Sequence, residues 1–377
     1  MLREYILKFI NEIIKMFPIK KNRCLIYSSY GANYGCSPKY VSEYLVENNP
    51  EIEVIWVFNQ PEKYDIRGVK KVKNMSLKYF YYLSTSKFIV TNFRTPVEFK
   101  KRDKQIYIQT WHSSLRLKMI EKDAEDTLPQ NYIKQAKEDS KKLDYLVSGC
   151  KYSTEIFKKC FWYDGEILEI GTPRNDFLLT IKEKKIRDIK DNLDIGDEKI
   201  LLYAPTFRKD NNLDIYNVDY ERLLNGLEKK YNCKWKILLR LHPHLINIMP
   251  EIKLENVINV TRYDDIQELL AISDILISDY SSLMFDFTIT KRLCFLYVPD
   301  LEEYQSKDRK LYFNVKELPF KIAKSNDELI DKIVNFSNEE YNKSLELFLN
   351  KIGSYENGKA SQKIAELIKN KESVNLK

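Results

Sequence analysis

Three histidines occur in the chain, His112, His242 and His244, and an imidazole titrates close to neutral pH, so each is a candidate proton carrier. All three fall in loops that follow short β-branched and aromatic runs: His112 after Gln105–Gln109, His242 and His244 after Trp235–Arg240. One lies in the first half of the chain and two in the second. The simplest use of such a split is a cleft with a general base on one wall and a charge-stabilising group on the other. Arg208 closes the run Leu202–Arg208 just past another strand, where a guanidinium could clamp a phosphate through two parallel hydrogen bonds. Arg240 precedes His242 by two residues and shares its face in an extended chain. Asp279-Tyr280-Ser281-Ser282 leads directly into the apolar helical run Leu283–Ile289. Its two hydroxyls and free backbone N–H groups sit at the positive end of a helix dipole, a phosphate site built without glycine. An ordinary N-cap would need only one of the serines. Asp286 lies one turn beyond Ser282 on the same face, to accept from a ribose or base or to stand as a surface charge.

The elements that must position these residues alternate in type. Strand-like runs in the first half are Cys24–Ser28, Glu53–Phe58, Phe88–Thr91, Gln105–Gln109, Tyr145–Ser148 and Ile167–Ile170. In the second half they are Ile200–Ala204, Trp235–Arg240, Val257–Val260, Ile275–Ser278 and Cys294–Val298. Helical patterns intervene, such as Tyr40–Glu47, Tyr220–Tyr231, Asp265–Ala271 and Ser282–Ile289. Strands with few charges alternating with helices indicate parallel sheets covered on both faces, and therefore an α/β fold. Open sheets of this kind bind ligands beyond the carboxyl ends of their strands, which is where the unusual residues sit. Ser325 and Glu328 form a capping-box pair ahead of a helix to Phe336, with further helical stretches near 338–351 and 359–370.

The charged stretch Lys182–Lys199 reads as the linker between two domains. The division expected is a helix at 1–18, an N-terminal α/β domain at 19–184, and a C-terminal α/β domain with C-terminal helices at 185–377. Residues 2–17 place Leu2, Tyr5, Ile6, Phe9, Ile10, Ile13, Ile14 and Phe17 at helical spacing, with Arg3, Glu4, Lys8, Glu12 and Lys15 on the other face. Those charges exclude a signal-peptide core, and no small-residue cleavage site follows. Pro18 stops the helix, and the basic Lys20, Lys21 and Arg23 come next. Such a helix either lies in a membrane interface held by anionic lipid or packs on the body of the protein.

Composition narrows the function class. The 377 residues are 44% hydrophobic and 31% charged, the proportions of a globular protein with a substantial core. Lys and Arg exceed Asp and Glu by 62 − 55 = 7, a mild excess that suits anionic substrates or an anionic membrane surface and gives little support to nucleic-acid binding. With ten glycines and neither GxGxxG nor GxxxxGK[ST], dinucleotide and P-loop sites are excluded. The six cysteines, at 24, 36, 150, 160, 233 and 294, form no CxxC pair, so no zinc cage or disulfide framework is expected. No closely spaced set of carboxylates and histidines reads as metal ligands, and no tightly bound cofactor is expected.

Taken together, Tyr34–Tyr40, Gln109–His112, Gly171–Asp176, Leu202–Arg208, Leu241–His244 and the long run Asp274–Tyr304 resemble the CDP-glycerol glycerophosphotransferase family, the teichoic acid primases and polymerases of the Gram-positive cell envelope. The resemblance covers roughly residues 23–340. It implies a GT-B type fold, two Rossmann-like domains with parallel sheets facing a central cleft, the acceptor domain at 19–184 and the CDP-donor domain at 185–377. It also implies transfer of an alditol phosphate from CDP-glycerol or another CDP-alditol, releasing CMP, and Mg²⁺ could accompany that donor. The acceptor implied is the hydroxyl of a lipid-linked glycan or polyol phosphate, for a teichoic acid or capsule-type polymer. By the same resemblance His112 corresponds to the catalytic base, and His242, Arg208, Ser281 and Ser282 to groups around the donor pyrophosphate. Peripheral attachment to the cytoplasmic face of the membrane is also implied, and favours the membrane reading of the N-terminal helix. One departure stands out: Ser113 and Ser114 replace the glycine and small residue that the family usually carries after the tryptophan–histidine pair. The fold also accommodates a glycosyltransferase with a nucleotide-sugar donor, or a non-catalytic membrane-bound assembly factor.

Overall fold

The computed structural model describes residues 13–14, 16–208, 216–242, 245, 254–307 and 310–373. The chain divides into two compact units, one formed by the residues up to Ser114, Ile120–Phe177 and the segment from Ser354 on, the other by Leu115–Met119 and Leu178–Gly353.

The first unit is built on a parallel sheet of β1 (Lys20–Tyr27), β2 (Glu53–Phe58), β3 (Val69–Lys73), β4 (Ser86–Thr91), β5 (Ile106–Gln109), β6 (Tyr145–Ser148) and β7 (Glu166–Glu169). Their spatial order is β3-β2-β1-β4-β5-β6-β7. Successive residues of one strand point to opposite faces, and here both faces are dry. Cys24 and Ile26 of β1 join Val41, Leu45, Trp56 and Val90 in one buried cluster, whereas Leu25 and Tyr27 join Tyr79, Leu83 and Ile89 in another. That is why the central strands read as continuous apolar runs rather than alternating ones.

The second unit repeats the plan with β8 (Lys199–Tyr203), β9 (Trp235–Leu239), β10 (Val257–Asn259), β11 (Ile275–Ser278), β12 (Leu293–Tyr297) and β13 (Lys321–Ala323), ordered β10-β9-β8-β11-β12-β13 and parallel throughout. Leu223 and Leu227 of the helix Tyr220–Tyr231, with Leu329 and Ile333 of the helix Asn326–Val334, close one face over Leu201, Tyr203, Ile237 and Ile277. One half of the expected capping box is present: Ser325 Oγ accepts from Glu328 N–H at 3.2 Å, while the Glu328 carboxylate takes Lys324 N–H at 3.1 Å, one residue before the cap.

Two sheet strands escape the apolar-run criterion, and both are at sheet edges. β3 carries three lysines, Lys70, Lys71 and Lys73, all exposed, and β13 is three residues long. An edge strand is covered less than its neighbours, so it need not be apolar, and charge there discourages pairing with a foreign strand.

The domain division also departs from the expected one. Lys182–Lys199 is not an open linker, since Glu183–Asn192 is a helix of the second unit that buries Ile189, and the boundary falls earlier, after Phe177. The last described helix, Ala360–Ser373, belongs to the first unit, whereas the expected division puts it with the C-terminal domain. It buries Ile364, Ala365 and Ile368 in the same cluster as Val41 and Leu45 of the helix Cys36–Asn48. Gly171–Asp176 is what receives it. Glu356 accepts from Thr172 N–H at 2.9 Å and from Asn175 Nδ2 at 3.0 Å, and Asp176 accepts from the N–H groups of Ala360 and Ser361 at 3.0 and 2.7 Å. The two carboxylates thus satisfy donors that a helix start leaves open and hold the returning segment in place.

Gly149 lies under this junction. A Cβ there would meet Thr172 Oγ1 at 2.5 Å, Ser114 Oγ at 2.7 Å and Glu356 Oε1 at 2.8 Å. Gly149→Ala should therefore force the Glu356 contacts apart and destabilise the first unit by about 1–3 kcal/mol, the usual cost of overpacking. Urea unfolding followed by tryptophan fluorescence reads the change, and an unchanged midpoint would show that the junction yields freely.

Of the amphipathic stretch 2–17, residues 2–12 and 15 lie outside the described residues. Ile14 is buried with the first unit's core, the Phe17 ring meets Tyr81 edge-on at 5.6 Å, and Arg102 donates to the Phe17 carbonyl at 2.8 Å. Among the described residues no helix is long and apolar enough to cross a membrane.

Candidate functional site

In each sheet the chain runs outward through three strands and then returns to the other side of the first, so the order reverses between β1 and β4 in one unit and between β8 and β11 in the other. Loops at a reversal diverge and leave a crevice at the carboxyl ends of the strands. The candidate residues fall at or beside these two places.

In the first unit the loops are Ser28–Gly31 after β1, Asn92–Arg94 after β4 and Thr110–Ser114 after β5. His112 is half-buried, with its ring stacked on Phe93 (centroids 5.2 Å apart, planes at 13°) and beside Trp111 (4.4 Å, 31°). Its Nδ1 lies 3.5 Å from the Asn92 carbonyl oxygen. Trp111 is buried edge-on against Phe161 and holds φ = 53°, and Ser29 and Tyr30 also have positive φ. Left-handed backbone at residues with a Cβ costs energy and persists where the surroundings over-determine it, often at functional sites.

Arg94, almost fully buried, is what stiffens the loops from below. It donates to Glu121 at 2.8 Å, Ser140 Oγ at 3.0 Å and Asp139 at 3.4 Å, and lies over the rings of Phe161 (4.2 Å) and Trp111 (5.8 Å). Burial disfavours its charge, but Glu121 and Asp139 outweigh that and raise its pKa. Tyr107 and Tyr132 complete the cluster, donating to Asp139 at 3.1 Å and Glu121 at 2.6 Å. Arg94, Glu121 and Asp139 were not singled out from sequence. Their one local signal is the position of Arg94, three residues past a strand.

In the second unit the loops are Ala204–Arg208 after β8, Arg240–His242 after β9, Val260–Asp265 after β10, Asp279–Ser282 after β11 and Val298–Asp300 after β12. Arg208 is buried, and most of its donors go to protein. Nε and Nη2 reach Asp300 at 2.6 and 3.2 Å, while Nη1 reaches Asp279 at 2.9 Å and the Thr206 carbonyl and hydroxyl at 2.8 and 2.9 Å. It also lies over the stacked rings of Tyr280 and Tyr304, at 4.8 and 5.0 Å. A guanidinium has five N–H donors, so this set leaves one on Nη2 uncommitted. Arg208 is thus a hub joining three loops, with a different set of partners from the two-pronged phosphate clamp expected of it. Burial acts against its charge, and Asp279 and Asp300 together raise its pKa.

Asp279 is likewise turned toward protein, accepting from Thr206 N–H at 2.9 Å, Thr206 Oγ1 at 2.6 Å and Tyr280 N–H at 2.6 Å as well as from Arg208. Asp300, which the sequence reading quoted only within a longer run, also accepts from Tyr280 Oη at 3.1 Å. Ser281 and Ser282 are half-buried at the start of the turn Leu283–Phe287, which continues as a 3₁₀ turn over Thr288–Thr290. Ser281 Oγ accepts from Leu283 N–H at 3.3 Å, and the Ser282 side chain makes no cap bond.

Asp286 is neither on the helix surface nor open to a ribose: it is fully buried and accepts from Gln267 Nε2 at 3.3 Å. Arg240 and His242 go to different neighbours. Arg240 donates to the Tyr263 carbonyl at 2.6 Å and the Val260 carbonyl at 3.4 Å, and burial lowers its pKa against the pull of Asp265 and Asp264. His242 is exposed with its ring 5.2 Å from Phe207, next to the Arg208 hub. His244 lies outside the described residues. Among the described residues no group of three or more His, Cys, Asp or Glu side chains is arranged to hold a metal ion.

Comparison with known proteins agrees with this geometry. Residues 9–370 match the model of the family described as CDP-Glycerol:Poly(glycerophosphate) glycerophosphotransferase. The chain is 36% identical over 365 residues to a teichoic acid poly(glycerol phosphate) polymerase of Staphylococcus epidermidis, covering 92% of this chain and 50% of that protein, so it spans about half the length of that relative. It is 35% identical to a teichoic acid glycerol-phosphate transferase of Staphylococcus aureus, covering 98% of this chain and 100% of that one. A structure of the wall teichoic acid polymerase TagF, a histidine-to-asparagine variant soaked with CDPG, superimposes with a TM-score of 0.87 at 33% identity, covering 98% of this chain and 96% of that chain. The two parallel-sheet units therefore make a GT-B type fold. With the match running nearly end to end, the chain belongs to the CDP-glycerol:poly(glycerophosphate) glycerophosphotransferase family.

Proposed function

We propose that the protein transfers glycerol phosphate from CDP-glycerol to a hydroxyl of a membrane-linked acceptor, releasing CMP, in the synthesis of teichoic acid. The observation that carries this reading is the near end-to-end match to a glycerol-phosphate transferase, with a half-buried imidazole at a strand-order reversal as its chemical counterpart. The acceptor oxygen attacks the β-phosphorus of the donor in line and forms the new P–O bond. The bond to the CMP oxygen breaks, and the acceptor proton passes to neutral His112. The donor is held by the strand-end loops of the second unit. His242, the remaining Nη2 hydrogen of Arg208 and the Ser281 and Ser282 hydroxyls offset charge on the phosphoryl and leaving oxygens. Arg240, Asp279 and Asp286 support those loops without meeting the donor.

Docking at the cytoplasmic face of the membrane brings the lipid-linked acceptor within reach. Ile13, Met16 and Phe17 are 44%, 84% and 47% exposed and stand next to the exposed Lys20 and Lys21, an apolar and cationic pairing that suits an anionic lipid surface. Flotation with vesicles containing anionic lipid should carry the protein up at low salt and leave it behind as salt rises. Salt-insensitive failure to float would remove the membrane from this account.

The activity is tested by CMP release with CDP-glycerol, CDP-ribitol and a set of nucleotide sugars, each with a lipid-linked acceptor and with or without EDTA. CDP-glycerol is expected to be the preferred donor, and the EDTA arm reads whether Mg²⁺ accompanies it. Turnover confined to nucleotide sugars would replace this reading with a glycosyltransferase, and no turnover alongside intact lipid binding would point to an assembly factor.

A further inference from the structure

Stacking fixes the plane of an imidazole but not which edge of it faces which way. The two orientations related by a half-turn about Cβ–Cγ occupy nearly the same slab, so the rings of Phe93 and Trp111 do not discriminate between them. An in-plane polar partner does. For His112 one such partner is the backbone carbonyl of Asn92, 3.5 Å from Nδ1. A carbonyl oxygen has lone pairs and no hydrogen to give. In the neutral ring a hydrogen shared along this contact sits on Nδ1, which puts the lone pair on Nε2.

The Asn92 carbonyl is itself held in place. The residue is 1% exposed, and its side chain is used at both ends: Oδ1 accepts from Ser29 N–H at 3.0 Å and Nδ2 donates to Ser28 Oγ at 3.3 Å. These bonds tie the end of β4 to the end of β1 at the strand-order reversal. The next residue is pinned as well, since Phe93 N–H donates to Thr91 Oγ1 at 3.1 Å and Phe93 O accepts from Gln109 Nε2 at 2.9 Å. The Asn92 side chain and the Phe93 backbone groups therefore have fixed partners, and the direction of the carbonyl toward the imidazole follows from theirs.

We propose that Asn92 is the positioning residue that holds His112 as the Nδ1–H tautomer, so that Nε2 is the atom that takes the acceptor proton. The last clause rests on the transferase reading above, whereas the tautomer does not. Hydrogen-bonded partners behind a functional histidine commonly set its tautomer and ring orientation in this way. The sequence signal, an asparagine directly after the strand that neighbours β1, carries no hint of the imidazole twenty residues later.

The test uses the full chain labelled with ¹⁵N-histidine, which contains three histidines. Long-range ¹H–¹⁵N spectra recorded above the imidazole titration report the tautomer of each ring, and the His112 signals are assigned from their loss in His112→Gln. In the unaltered protein His112 should show a protonated Nδ1 and an unprotonated Nε2. Asn92→Ala removes both ties to the β1 loop and should shift His112 toward a mixture with Nε2–H, while the His242 signals stay in place. Asn92→Asp keeps acceptors for Ser29 N–H and for the Ser28 hydroxyl, and should restore the Nδ1–H form. In the CMP-release assay Asn92→Ala should lower kcat roughly tenfold with little change in KM for CDP-glycerol, and Asn92→Asp should recover most of it. An Nε2–H tautomer in the unaltered protein overturns the proposal outright, as does an unchanged His112 spectrum in Asn92→Ala. Absence of CMP release from the unaltered protein would instead defeat the transferase reading and leave the tautomer result standing.

Discussion

Replacing His112 by alanine is expected to lower CMP release by about 10²–10⁴-fold, the usual contribution of a positioned general base, and to leave KM for CDP-glycerol little changed. The side chain is half-buried at the mouth of the first unit and touches Phe93 and Trp111. Losing those contacts should cost stability no more than about 1 kcal/mol, within the range for an exposed aromatic pair. The rate loss corresponds to about 2.7–5.5 kcal/mol of transition-state stabilisation, so the two effects are separable by size. Steady-state kinetics beside a urea titration make the comparison. Turnover within threefold of normal would show that another group takes the proton and would undo the assignment of His112.

Arg208→Met should act in the opposite manner, first on stability and only then on turnover. It removes a cation that Asp279 and Asp300 share, and both carboxylates stay largely out of water. Breaking a buried ion pair from one side costs about 3–5 kcal/mol, since what remains is an uncompensated buried charge. A solvent-facing phosphate clamp would instead raise KM for the donor and leave the urea midpoint where it was. Replacing Asp279 and Asp300 by asparagine in the same variant should recover part of the loss, because members of one network do not contribute additively.

Between them the two variants test separate roles for the two units' strand ends: a proposed proton acceptor in His112, and in Arg208 a guanidinium that bonds to three loops. Arg94 in the first unit resembles Arg208 in this respect, each pairing with two carboxylates beneath aromatic rings. In both units a buried cation keeps the loops after the strands in register, so that the residues at their tips present a fixed surface.

Local pattern alone was enough to place the strands that lie in sheet interiors, and with them the loops bearing His112, His242, Arg208 and Asp279–Ser282. Burial on both faces demands unbroken apolar runs, and such runs are visible residue by residue. The edge strands β3 and β13 were not visible, for the same reason inverted: an edge is half-solvated and tolerates lysine. What the strand-end residues bond to was decided only in three dimensions. Arg208 meets Asp300 across 92 positions, Asn92 meets Ser29 across 63, and Thr172 meets Glu356 across 184. A periodicity of two or 3.6 residues carries information over one element, and no further. Whether a guanidinium at a strand end faces a ligand or a pair of aspartates therefore depends on which distant loops the sheet order brings beside it.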